Sequence, residues 1–106
     1  MLIAYEVAKT MVRTLAPIAA KIQRHDRDHA DQLRRAANSV AFNLGEGARS
    51  QKGNKPKHYW IAHGSAGEVR AALDTAIAWG YVTDVAEADA IVDRVLRLIW
   101  GLTHPK

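Results

Sequence analysis

The stretch Ala30-Asp31-Gln32-Leu33-Arg34-Arg35-Ala36-Ala37-Asn38-Ser39-Val40-Ala41-Phe42-Asn43-Leu44 decides the fold. Its residues Ala30, Leu33, Ala37, Val40 and Leu44 recur at alternating steps of three and four. That spacing lays them along one face of an α-helix and is out of register with a strand. Upstream, Ala4, Ala8, Met11, Leu15, Ile18 and Ile22 repeat the pattern. Downstream, so do Tyr59, Ala62, Ala66, Val69, Leu73 and Ala76, and then Ala88, Ile91, Val95, Leu98 and Leu102. Alanine is the commonest residue and β-branched runs are scarce, which favours helix throughout. Four such stripes predict an all-α, antiparallel up-down four-helix bundle, with helices at about 3–24, 28–49, 56–79 and 85–102.

The breaks carry matching punctuation. His25-Asp26-Arg27-Asp28 is wholly polar and offers Asp26 or Asp28 as the N-cap of the second helix. Gln51-Lys52-Gly53-Asn54 is a turn, and Lys55-Pro56 puts proline in the first turn of the third helix. Gly80 stops that helix, and Thr83 or Asp84 is the expected cap of the fourth. Pro17 is the exception. It predicts a kink in the first helix or the start of a second piece.

Composition narrows the class of protein. The 106 residues hold 15 Lys or Arg against 11 Asp or Glu, a net charge of +4, with an isoelectric point near 9.7. The length is that of a single domain spanning 1–106. Without cysteine there are no disulfides, thiolate metal sites or cysteine nucleophiles, which fits a reducing compartment. No apolar run approaches the ~20 residues of a membrane span. Glu6 and Lys9 sit within a helical pattern rather than a signal peptide. The expectation is a soluble, cytoplasmic, basic domain that does not engage membranes.

A second set of apolar positions bears on assembly. Tyr5, Val12 and Ala19 lie a heptad apart on the first helix, and Val85, Val92 and Ile99 do so on the fourth, with Trp100 beside them. A small bundle needs about one apolar face per helix. The extra stripes therefore point to a further buried surface, most economically a subunit interface of some homo-oligomer. The alternative is one wide core face plus ordinary exposed apolar residues.

Charge is concentrated. Arg49, Lys52, Lys55 and Lys57 bring four positive charges with no intervening acid, at the turn between the second and third helices. They are the prime candidates for phosphate contacts, with Arg24, Arg27 and Arg34 secondary. Lys21 joins the second cluster, which Asp26, Asp28 and Asp31 dilute. The competing reading is a solubilising loop. Tyr59 and Trp60 follow the first cluster directly and offer stacking surfaces for single strands. The tryptophans at 60, 79 and 100 otherwise read as packing anchors.

Catalytic and cofactor motifs fare poorly. Arg35, Ser39, Asn43 and Glu46 share one helix face, and Ser65 and Glu68 share another. These six read as a structural polar network in which Arg35 pairs Glu46 or Glu68. The sharper reading, a Glu46–Glu68 acid/base pair, needs a cleft that a small bundle does not suggest. None of the four glutamates (Glu6, Glu46, Glu68, Glu87) has histidine three residues on, so the di-iron bundle pattern is absent. His25 and His29 have chelating spacing but straddle a loop, with Asp26, Asp28 and Asp31 nearby. His58 and His63 point to different faces. Gly64-Ser65-Ala66-Gly67 is no nucleophile elbow, and its glycines read as close helix packing. Neither it nor Gly45-Glu46-Gly47 matches a phosphate-binding loop. No catalytic residue, cofactor or metal is expected, and the chain reads as non-enzymatic.

Three stretches resemble one family. They are Gln32-Leu33-Arg34-Arg35-Ala36-Ala37-Asn38-Ser39-Val40-Ala41-Phe42-Asn43-Leu44-Gly45-Glu46-Gly47, Tyr59-Trp60-Ile61-Ala62-His63-Gly64-Ser65-Ala66-Gly67-Glu68, and Ala78-Trp79-Gly80-Tyr81-Val82. They resemble the bacterial four helix bundle protein family, with its Q-[IL]-R-R-A-x-x-S-x-x-x-N-[IL]-x-E-G helix, its aromatic-x-x-A-x-G-S-x-x-E helix and its G-Y ending. That family includes the proteins encoded in intervening sequences of large-subunit ribosomal RNA and the accessory variability protein of diversity-generating retroelements. The resemblance covers about residues 1–102 in layout and 32–82 in motif. Gly45 departs from the usual alanine, which predicts only local loosening of the helix. The HDRDH loop departs from an aromatic-proline-basic segment. The resemblance implies a ring-like homopentamer of antiparallel four-helix bundles with a basic surface. In the retroelement branch it implies binding of RNA or DNA and of a reverse transcriptase. Most members have no assigned activity. The function expected is that of an accessory or scaffold protein binding nucleic acid through phosphates. The alternative is a structural protein-interaction module that binds no nucleic acid.

Overall fold

A computed structural model describes residues 2–50 and 53–106. Four helices follow in order: α1 (Ile3–Gln23), α2 (Arg27–Arg49), α3 (Lys55–Ala78) and α4 (Ala86–Thr103). Each boundary lies within a residue or so of the sequence expectation. α2 packs between α1 and α3, and α4 closes the arrangement against the same two helices. The predicted stripes form the core. Ala8, Met11 and Ile22 of α1, Ala30, Leu33, Val40 and Leu44 of α2, and Ala62, Val69, Leu73 and Ala76 of α3 are fully buried.

The second stripes turn out to be core as well. Ala19, Val85, Val92 and Ile99 are buried, and Tyr5 and Val12 pack against the core from its margin. On α4 the predicted primary residues Ile91, Leu98 and Leu102 are the marginal ones. The second stripes are thus spent inside one chain and do not mark a subunit interface. The reason is alanine, which fills little volume, so each helix must turn a wide face inward to bury enough apolar surface. Of that group only Trp100 faces outward.

The caps show which local signals acted. Asp26 begins α2, its side chain accepting from the His29 N–H at 3.0 Å. Gly80 adopts φ +80°. Its N–H bonds the Ile77 carbonyl and the Tyr81 N–H bonds the Ala76 carbonyl, both at 2.9 Å, which is the Schellman closure of α3. α4 departs from expectation. Its N-cap is Val85, which makes no side-chain cap bond, and Thr83 and Asp84 stay exposed. Burial of Val82 and Val85 sets the entry instead, and Glu87 and Asp89 supply first-turn negative charge. Pro17 does not divide α1, which runs continuously through it. Pro17 and Arg13 are both exposed, so the Arg13 carbonyl left without its helical donor faces water.

Close approach involves glycines other than those expected. Gly47 admits the Tyr59 ring and Gly45 admits the Tyr5 ring, where a β-carbon would lie 2.5 and 3.0 Å from the respective Cε1 atoms. Gly45 therefore makes room for α1 rather than merely loosening α2. Gly64 and Gly67 are exposed and nothing lies within 4 Å of where their β-carbons would be, so they do not serve helix packing within the chain.

Arg70 ties α3 to α4. Its guanidinium donates to Asp89 Oδ1 and Asp93 Oδ1, each at 2.7 Å, and to the Asp89 carbonyl at 3.2 Å. Burial opposes its charge, but the hydrogen bond to Asp89 and the fields of Asp93, Asp74 and Asp89 outweigh that and hold it above the ordinary value.

Candidate nucleic-acid interface

The predicted phosphate-binding residues fall into two groups separated along α2. Arg24 caps the C-terminus of α1, and Arg27 opens α2; both are exposed. Arg34, half-buried, is engaged by Gln23 Oε1 at 2.7 Å and Asp31 at 3.7 Å. Arg49 closes α2, about 33 Å from Arg27 at the helical rise. Lys55 and Lys57 lie in the first turn of α3, Lys57 exposed and Lys55 half-buried. Lys52 lies outside the described residues.

The second group is the cleaner electrostatic feature. From Ala48 to Gly67 the chain carries no Asp or Glu. α3 begins with no acid in its first turn and no side-chain cap on Asn54, so its positive dipole end adds to Lys55 and Lys57. Arg49 pairs Glu46 at 2.8 Å, yet its side chain is 68% exposed. An exposed pair of this kind holds its partners by about 0–1 kcal/mol, so Arg49 can exchange Glu46 for a phosphate.

The polar network forms in part. The Ser39 and Ser65 hydroxyls meet at 2.7 Å. Asn43 Nδ2 donates to the Ser39 carbonyl at 2.9 Å, and its Oδ1 faces His58 Nδ1 at 3.0 Å. An amide oxygen can only accept, so His58 carries its hydrogen on Nδ1. Arg35 does not pair Glu46 or Glu68 among the described residues. Eleven residues of helix put Arg35 about 16 Å from Glu46, and Arg49, three residues away from it, takes that carboxylate. Arg35 and Glu68 instead line a groove of about 670 Å³ between α2 and α3, floored by Ser39 and Ser65. Glu46 does not line it, so the two glutamates do not face one cleft.

His25 and His29 both pack on the Tyr81 ring, His25 face to face and His29 edge-on at 5.7 Å. His29 Nε2 lies 2.7 Å from the Ala72 carbonyl and must donate to it, while the His25 ring stacks on Tyr81 at 5.2 Å. No cluster of three or more potential metal-ligating side chains occurs among the described residues. No helix of the described residues is long and apolar enough to cross a membrane.

Sequence reasoning did not anticipate the aromatic assemblies. Trp60, His63, Trp100 and His104 converge from α3 and the end of α4, with ring centroids 3.4–6.2 Å apart. Beyond the other end of α3, Trp79, Tyr81 and His25 stack nearly parallel. Trp60, Trp79 and Trp100 are all at least half exposed, so the expected role of packing anchor does not describe them. The helical positions 60, 63 and 100 were legible, and His104 follows just after α4, but nothing local says that α3 and the end of α4 bring the four together.

No curated protein and no solved structure matched this sequence. The family described as 23S rRNA-intervening sequence protein has a model that matches residues 1–101, and the four-helix architecture fits it. The chain belongs to the 23S rRNA-intervening sequence protein family.

Proposed function

We propose that this protein is a non-enzymatic accessory or scaffold protein, a homopentamer of antiparallel bundles whose basic surface binds RNA or DNA through phosphate contacts. The observation that carries the reading is the acid-free turn where Arg49, Lys55 and Lys57, with Lys52 between them in sequence, gather beside the start of α3. Such a patch repeated around a ring multiplies its field and attracts polyanions regardless of sequence. The antiparallel arrangement is supported by the order of contacts between α2 and α3: His29 meets Ala72, Ser39 meets Ser65 and Asn43 meets His58. With the second stripes buried, self-association rests on family membership and on exposed Ile3, Phe42, Ile61 and Trp79. Exposed Phe42 and Trp79 equally favour the alternative, a module that binds protein alone.

Light scattering on a sizing column tests both parts. The expected mass is five times the 11.7 kDa of one chain. Nucleic-acid binding should weaken steeply as salt rises. Replacing Arg49, Lys52, Lys55 and Lys57 by glutamine should flatten the log–log salt dependence by about 3–4 units. A pentamer that ignores nucleic acid would leave the protein-binding module, and a monomer would overturn the assembly.

A further inference from the structure

The aromatic cluster joining α3 to the end of α4 lies beside the stronger cation group. Trp100 and His104 stack at 3.4 Å with their planes 15° apart. Trp60 stands at 5.3 Å from both His63 and His104, and His63 lies 6.1 Å from Trp100. The tryptophans are only half covered, at 50% and 56% exposure. Rings that brace one another while keeping surface in water are pre-organised for a further ring. The surroundings are cationic. Lys55 and Trp60 line one groove with Tyr59 and Pro105. Lys57 and Arg97, both exposed, precede Trp60 and Trp100 by three residues and share their helix faces. The Trp79–Tyr81–His25 stack has Arg24 and Arg27 beside it, but Asp26, Asp28 and Asp84 offset their charge, and Asp26 lies against the Tyr81 hydroxyl.

We propose that Trp60, His63, Trp100 and His104 form a stacking platform for the bases of single-stranded nucleic acid, with Lys55, Lys57 and Arg97 taking the flanking phosphates. This rests on the nucleic-acid reading above and deepens it. Phosphate contacts alone leave the choice between duplex and single strand open. Exposed π-faces favour unpaired bases, because a duplex hides its base faces in the stack. Stacking is tolerant of sequence, as every base offers a π-face.

The test compares three labelled probes at ~50 mM salt: a thymidine oligonucleotide of about 12 nucleotides, an abasic strand with the same number of phosphates, and a duplex. The thymidine strand should bind at least about fivefold tighter than the abasic strand. It should also quench tryptophan fluorescence in a Trp79→Phe background. Trp100→Ala should erase the difference between the two strands without changing the salt dependence, and Trp100→Phe should keep most of it. Lys57→Gln should weaken both strands and lower the salt dependence. Equal binding of thymidine and abasic strands would overturn the platform while leaving phosphate binding intact. No binding of any probe would overturn both readings. A Trp100→Ala variant that changes the assembly mass but not thymidine affinity would make the cluster a protein interface and overturn the platform. Trp60 and Trp100 lie outside the core, so circular dichroism should show these variants folded.

Discussion

The ring of Tyr59 on α3 occupies the space where a side chain at Gly47 on α2 would begin. A β-carbon at position 47 would stand 2.5 Å from Tyr59 Cε1, 2.9 Å from Cδ1 and 3.3 Å from the His58 β-carbon. α2 thus ends against the first turns of α3 with no room for a methyl group, beside the turn that carries the cations.

Gly47→Ala should therefore destabilise the fold. Overpacking costs about 1–3 kcal/mol, and the better helix propensity of alanine returns at most about 1. Gly64→Ala should do the opposite. The site is exposed and open, so only propensity acts, with a gain of about 0.5–1 kcal/mol. Urea unfolding of the two variants reads the signs directly. A stabilised Gly47→Ala would mean that the Tyr59 ring can swing aside.

The Ser39–Ser65 contact should be energetically coupled. Ser65 is buried, and its hydroxyl meets Ser39 at 2.7 Å where Asn43 Nδ2 also reaches Ser39 Oγ at 3.3 Å. Removing either hydroxyl leaves the other with a lost partner, at a cost of about 1 kcal/mol. A double-mutant cycle with Ser39→Ala and Ser65→Ala should show coupling of about 0.5–1.5 kcal/mol. Strictly additive losses would show that the two hydroxyls act independently.

Tyr81 should make stability sensitive to alkaline pH. Its hydroxyl donates to Asp26 Oδ2 at 3.4 Å. Desolvation first, then the negative charge of Asp26, then that hydrogen bond push the phenol above its ordinary value of 10.0. The fold thus prefers the neutral phenol. Its contribution is complete below pH 10.0, the unfolded value, and is lost as pH rises through the higher folded one. Absorbance titration at the tyrosinate band should show one late-ionising phenol that Tyr81→Phe removes. Asp26→Asn keeps a competent N-cap but removes the charge, so it should bring that ionisation down. An unchanged titration in Asp26→Asn would place the cause elsewhere.

Much of the cation distribution was readable in advance. Arg49, Lys55 and Lys57 gather at one turn because they are neighbours in sequence, and a short turn keeps neighbours together. What each cation does there was not readable. Arg49 spends part of its charge on Glu46, and Arg34 is held by Gln23 across the α1–α2 connection.

The number of helices, their limits to within a residue or so, the inward stripes of α1, α2 and α3, an aspartate cap at Asp26 or Asp28 and the Gly80 stop were legible in the sequence itself. Each follows from interactions spanning a few residues: a period of 3.6, a carboxylate reaching an N–H three residues on, a backbone that needs φ +80°. Tertiary structure alone decided how far each face turned inward. It sent Val85, Val92 and Ile99 to the core, where heptad spacing on one helix could not tell core from interface. It alone paired His58 with Asn43, fitted Tyr59 to Gly47 and Tyr5 to Gly45, and left Arg35 without Glu46. It also brought Trp60 and His63 to Trp100 and His104, some forty residues later in the chain. The physical reason is common to all of these. A helix's local sequence specifies its existence and apolar face, while its rotation and axial register depend on the summed packing of its neighbours.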